Sequence, residues 1–109
     1  MVINDRIRYK HAYANPASSG SNTVVAAVTG QKIKVIGAFV VAAAVNTVKF
    51  MSASTDLTGG MALAANGGFT LPISDKGIPY FETAAGEALN INLSASTAVA
   101  VTIVYYVEK

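Results

Sequence analysis

His11 is the only histidine in the chain, and there is no cysteine. A lone imidazole can act as a general base or a metal ligand, but a metal site needs several more donors around the ion. The neighbours of His11 are Tyr9, Lys10, Ala12 and Tyr13, none of which is a carboxylate. His11 therefore reads as a surface or packed imidazole, and no metal ligand set is assigned. Glu82 and Glu87 bracket Thr83-Ala84-Ala85-Gly86. Paired carboxylates do acid–base work when held about 5–10 Å apart, yet these two flank a turn before a strand. No serine stands in a Gly-x-Ser-x-Gly turn, and the glycine pairs match neither phosphate-binding pattern. Asn92-Leu93-Ser94 matches a glycosylation acceptor, a pattern that arises often by chance. The expectation is a protein that is not an enzyme, with no catalytic residue, no cofactor and no small-molecule substrate.

With 109 residues the chain is expected to be one domain. A domain of that size buries roughly two thirds of its unfolded surface, enough for one core between two layers. Only 13% of the residues are charged and 52% are hydrophobic, with a mean hydropathy of +0.44. Average soluble domains carry about 25% charge. The longest apolar run, Val35 to Val45, spans eleven residues, whereas a membrane-crossing helix needs about 20. Residues 1–6 lack the layout of a signal peptide. No membrane partner is expected, and hidden surface in an assembly best accounts for the low charge. A net charge of +2 gives no reason to expect a nucleic-acid partner. Without cysteine, stability must come from packing and hydrogen bonds.

The charges are unevenly spread. Residues 1–49 sum to +5 and residues 50–109 to −3. Such asymmetry suits docking on an acidic neighbour or head-to-tail contact between copies, and it equally fits chance on a small charge count.

The elements that would position these residues are strands. Arg6, Arg8 and Lys10 alternate with Ile7, Tyr9, His11 and Tyr13, which is strand spacing. The following Asn15-Pro-Ala-Ser-Ser-Gly-Ser-Asn22 is linker-like and could extend about 26 Å. Residues 1–22 are therefore expected as an extended N-terminal arm and linker, and residues 23–109 as the domain. Strands are expected near 23–29, 31–43, 46–53, 60–65, 68–73, 79–83, 87–94 and 98–107. Leu89, Ile91 and Leu93 form one inward row, Val99 to Val107 a second, Phe69, Leu71 and Ile73 a third, and Val48 with Phe50 a fourth. Asn66-Gly67 signals a hairpin turn. Gly30-Gln-Lys-Ile-Lys-Val35 echoes Gly86-Glu-Ala-Leu-Asn-Ile91, through duplicated hairpins or shared turn grammar. The fold class is all-β, a jelly-roll-like antiparallel β-sandwich.

Two surfaces stand out. Arg6, Arg8, Tyr9, Lys10 and Tyr13 are partner-docking candidates, with a plain edge strand guarded by basic residues as the alternative. The run Ile36 to Ala43 is apolar at both strand parities, which suits a sheet covered on both sides. Ile36 and Val40 from that run, with Tyr106, are candidate subunit-interface residues. Of consecutive Tyr105 and Tyr106, one must leave the core or the sheet must be covered twice.

A resemblance adds a setting. Thr29-Gly-Gln-Lys-Ile-Lys-Val35, Ser54-Thr-Asp-Leu-Thr-Gly59, Met61 to Pro72, Glu82 to Ser94 and Val101 to Tyr105 together resemble small tailed-phage virion proteins, head decoration or cement proteins among them. The resemblance implies a jelly roll present as a homo-oligomer, a dimer or trimer. It implies docking on the major capsid protein outside the head, stabilising contacts between capsid subunits, in a virion assembled in the host cytoplasm. The alternative is a glycan- or receptor-binding sandwich of a head or tail fibre, which needs exposed tyrosines beside acidic or amide side chains in one groove.

Overall fold

A computed structural model describes residues 9–74 and 77–109. Among them are ten strands and no helix: β1 (Lys10–Ala14), β2 (Gly20–Val25), β3 (Lys32–Ala42), β4 (Asn46–Ser52), β5 (Thr55–Asp56), β6 (Met61–Leu63), β7 (Gly68–Leu71), β8 (Phe81–Glu82), β9 (Leu89–Leu93) and β10 (Val99–Glu108). One antiparallel sheet has the order β1-β10-β3-β7, with β8 also on β3. The other has the order β2-β9-β4-β5, with β6 also on β4. The two pack as the expected β-sandwich.

Strict alternation builds the core. Leu89, Ile91 and Leu93 are buried while Asn90 and Asn92 between them are half-buried. Val48 and Phe50 meet them from β4, and Val99, Val101 and Ile103 from β10. Burying each such side chain stabilises the fold by about 1.5–3 kcal/mol before the entropy cost of ordering it. The third inward row stops short: Phe69 and Leu71 pack on the core, but Ile73 is 57% exposed. Strand β7 ends before Pro72, which has no N–H to donate. Beyond it the Ser74 N–H donates to Ile36 O at 2.9 Å, and Ile73 lies against Gly37.

The longest pair, β3 with β10, runs from Ala42↔Val99 to Lys32↔Glu108. Its register slips once, between Val104↔Gly37 and Tyr105↔Val35, leaving Ile36 as the extra residue of a bulge. The bulge lets Val35 and Ala38 both face the core.

Lys10–Ala14, part of the arm expected from the sequence, is an edge strand on β10. Its inward residues are Ala12 and Ala14, packed against the core. Tyr9, His11 and Tyr13 take the opposite parity. Small alanines fit under this edge where tyrosines would not. Residues 1–8 of the arm, with Arg6 and Arg8, lie outside the described residues. Strand β2 opens at Gly20, so only 15–19 connect the two sheets here.

The two echoing turns lie side by side. Gly30 and Gly86 both have positive φ, 72° and 78°, and the Gly86 N–H donates to Gln31 O at 2.8 Å. One turn launches β3 in one sheet, and the other launches β9 in the second.

Candidate docking surface

Charge is sorted along the strands. At the end where β3 begins and β10 finishes, Lys34 Nζ donates to Glu108 Oε1 at 2.9 Å and lies 3.7 Å from Glu82. Lys32 pairs with the other Glu82 oxygen at 3.4 Å. The hydrogen bond to Glu108 leads the causes that raise the Lys34 pKa above 10.5, with burial opposing. Burial pushes up the Tyr106 hydroxyl, which donates to Gly77 O at 2.9 Å.

Among the described residues, the opposite end carries no charge. Four turns meet there: 15–19 (Asn-Pro-Ala-Ser-Ser), 43–45 (Ala-Ala-Val), 64–67 (Ala-Ala-Asn-Gly) and 94–98 (Ser-Ala-Ser-Thr-Ala). Hydrogen bonds stitch them together. Val99 N–H donates to Pro16 O, Ala43 N–H to Ala98 O, Ala42 N–H to Gly67 O, and Asn66 N–H back to Ala42 O, all within 3.0 Å. Asn46, 1% exposed, sits beneath this end. Its Nδ2 donates to Ala95 O, Thr97 O and Thr97 Oγ1, and its Oδ1 accepts from the N–H groups of Ser94 and Ala95 and from Ser94 Oγ. A buried amide with both ends satisfied fixes the loop geometry.

The outer faces of the two sheets differ. On the β2-β9-β4 sheet the rows are Ser21–Asn92–Lys49 and Thr23–Asn90–Met51, a mostly polar surface. On the β1-β10-β3 sheet the row next to the uncharged end is Ala100–Val41–Gly68, followed by Tyr13–Thr102–Phe39–Thr70. Tyr13, Phe39 and Val41 are 70%, 51% and 48% exposed, and Val45 on the adjoining turn is 71% exposed. Interface cores are depleted in charge and enriched in aromatics, and this face has that composition. An apolar groove of about 400 Å³ also opens at the far edge of the sandwich, between Met61 and Phe50 on one side and Phe69, Leu71 and Phe81 on the other.

The candidate residues fall as follows. Ile36, Val40 and Tyr106, read from the sequence as interface residues, are buried in their own chain at 1%, 0% and 6% exposure. This corrects the assignment: the inward parity of β3 holds Val40, Ile36 is the buried extra residue of the bulge beside Ser74, and the Tyr106 hydroxyl is tied to Gly77 O. The exposed residues of that strand are Phe39 and Val41. Tyr9 is half-exposed, with its ring edge on Tyr106 at 5.8 Å between centroids. Lys10 is exposed and shares the parity of Ala12 and Ala14, opposite Tyr105. Tyr13 faces outward on the uncharged half. His11 is exposed. Glu82 is held by the two lysines, and Glu87 accepts from Ser52 Oγ at 2.5 Å. Sequence reasoning missed Asn46, because its partners lie some fifty positions away in the chain.

No known protein-family model matches the chain, and no curated protein does. Among solved structures, it is similar to a chain of the cyanophage Pam1 capsid asymmetric unit, with a TM-score of 0.57 and 14% identity. The match covers 92% of this chain and 85% of that one. At this identity the likeness is one of fold.

Proposed function

We propose that this chain is a capsid cement protein: a homo-oligomer on the outside of a phage head that stabilises contacts between major capsid subunits. The fold likeness to a capsid chain over 92% of the length is the observation that carries this reading. Strand order supports it. β10 lies between β1 and β3, and β9 between β2 and β4, an interleaved antiparallel sandwich that supports a jelly-roll reading, and jelly rolls are common in viral shells. The sorted surface supports it as well, since an uncharged face on a chain with only 13% charge suits burial in an assembly. We assign Arg6, Arg8, Tyr9 and Lys10 to contact with carboxylates on the shell. Neither a cofactor nor a reaction enters the role: Glu82, Glu87 and Ser52 are engaged in structural hydrogen bonds and ion pairs. The rival glycan-binding role calls for acidic or amide groups beside tyrosine; the apolar groove offers Tyr80 with neither.

The test is heat challenge of particles with and without the chain, together with co-sedimentation on assembled shells and on free major capsid protein. A cement protein binds the assembled shell in preference to free subunits, and so raises the temperature at which particles fail. Equal heat resistance of the two particle types, with no shell binding, overturns the proposal. Binding to a glycan array under those conditions would favour the rival.

A further inference from the structure

We infer that the uncharged end, with the apolar face beside it, is the surface through which this chain binds a second copy of itself. The inference rests on the self-associating part of the proposed function and not on the identity of the shell. Phe39, Val41, Val45 and Tyr13 are its exposed apolar groups, and small Ala and Ser residues of the four turns surround them.

Three observations select a second copy as the occupant. The first is charge. No residue of the four turns or of the two adjoining rows is charged, so two copies can meet here without opposing like charges. A strongly charged partner would instead lose hydration at this surface and find no counter-charge. The second is area. The molecule measures 46 × 26 × 20 Å. An end of 26 × 20 Å offers up to about 500 Å² in projection, and the sheet face adds further surface. Two copies together thus come near the roughly 1,000–1,200 Å² at which specific interfaces begin. The third is rigidity. The turns are tied to one another and to Asn46, so little conformational entropy is lost when the surface is covered. The same patch on both partners makes the contact isologous, which closes at two copies.

Sedimentation of the purified chain across micromolar to submillimolar concentrations tests the surface without any shell. Wild type should show a monomer–dimer equilibrium. Phe39→Glu and Val45→Glu should each weaken it about ten- to hundredfold, the scale of a truncated hot spot. Thr23→Glu, on the polar face of the other sheet, should leave it unchanged. A wild type that stays monomeric throughout, or a dimer lost in Thr23→Glu but kept in Phe39→Glu, overturns the inference. Because the chain has no cysteine, single Val45→Cys and Thr23→Cys variants give a second reading that does not depend on a tolerated charge. Maleimide labelling should slow with rising protein concentration in Val45→Cys alone, and equal rates in both variants count against the surface. Failure of shell binding with the dimer intact would sink the cement reading and leave this one standing.

Discussion

Asn46 and Ala95 hold each other in both directions: Asn46 Nδ2 donates to Ala95 O at 3.1 Å, and the Ala95 N–H donates to Asn46 Oδ1 at 3.1 Å. The first residue of β4 thereby stands in for a missing strand partner of the 94–98 turn, and fixes the turn that caps the uncharged end.

Replacing Asn46 by Ala leaves the part-buried Ala95 N–H and the carbonyls of Ala95 and Thr97 short of partners, while the Ser94 N–H keeps its bond to Thr47 O. Unsatisfied buried groups cost about 1–3 kcal/mol each when water cannot replace the bond, and less at a half-buried turn. The expected loss is about 2–4 kcal/mol, read as a lower urea midpoint with the slope unchanged. Asn46→Asp keeps an acceptor but sets a buried carboxylate oxygen against Ala95 O and Thr97 O, so it should cost at least as much as the alanine. An Asn46→Ala protein as stable as wild type would remove the amide from this role.

Gly68 is required by a close approach. A Cβ there would lie 1.9 Å from Val40 O, inside any allowed contact with backbone. Gly68→Ala should displace β7 from β3 and cost about 1–3 kcal/mol, the range for overpacking. Gly59→Ala meets nothing within 4 Å and has no positive φ, so it should be neutral or slightly stabilising. Thermal unfolding of the two variants side by side checks the contrast.

How far the sequence could be read depends on parity. At Leu89 to Leu93 apolar and polar residues alternate, so the inward row was legible residue by residue. Between Val35 and Ala42 both parities are apolar, and no periodicity says which faces in. That ambiguity put Val40 on the candidate surface, where Phe39 and Val41 stand instead. At β1, the larger tyrosines drew attention away from Ala12 and Ala14, the residues small enough to sit under the sheet edge. The bulge at Ile36 and the contact of Ile73 with Gly37 depend on tertiary pairing and leave no local signal. The uncharged end was in principle visible as four charge-free turns. Recognising that they share one end requires the strand order.

Stability should fall at alkaline pH for two reasons with one sign. The Lys34 ammonium is favoured in the fold by its hydrogen bond to Glu108, which raises its pKa above 10.5. The neutral Tyr106 hydroxyl is favoured by burial, which raises its pKa above 10.0. A group whose folded pKa is raised stabilises the fold fully below its unfolded value, and that contribution is lost as pH climbs through the folded one. Unfolding followed by pH should therefore show a flat region below pH 10.0 from these groups and a decline above it. Glu108→Gln should soften the Lys34 part and cost about 0–1 kcal/mol at neutral pH, discounted because the Glu108 side chain is 47% exposed. Tyr106→Phe should remove the tyrosine part, at the expense of the hydrogen bond to Gly77 O. An unchanged alkaline decline in the double variant would show that other groups set it.

The N-terminal region separates a folding role from a docking role. Residues 10–14 are a strand whose alanines pack on the core and whose backbone covers the edge of β10. Deleting residues 1–14 should therefore lower stability and leave β10 as an open edge, seen as concentration-dependent aggregation. Changing Arg6, Arg8 and Lys10 together to Gln leaves the backbone of β1 in place, so the folded domain and its dimer should survive. If these cations meet carboxylates on the shell, the triple variant should bind shells more weakly and with a flatter dependence on salt, because screening acts on those pairs. Exposed pairs contribute only about 0–1 kcal/mol each, so the effect per copy should be modest and should grow with the number of copies bound. A triple variant that binds shells at wild-type strength with the wild-type salt dependence would leave β1 as an edge strand and nothing more.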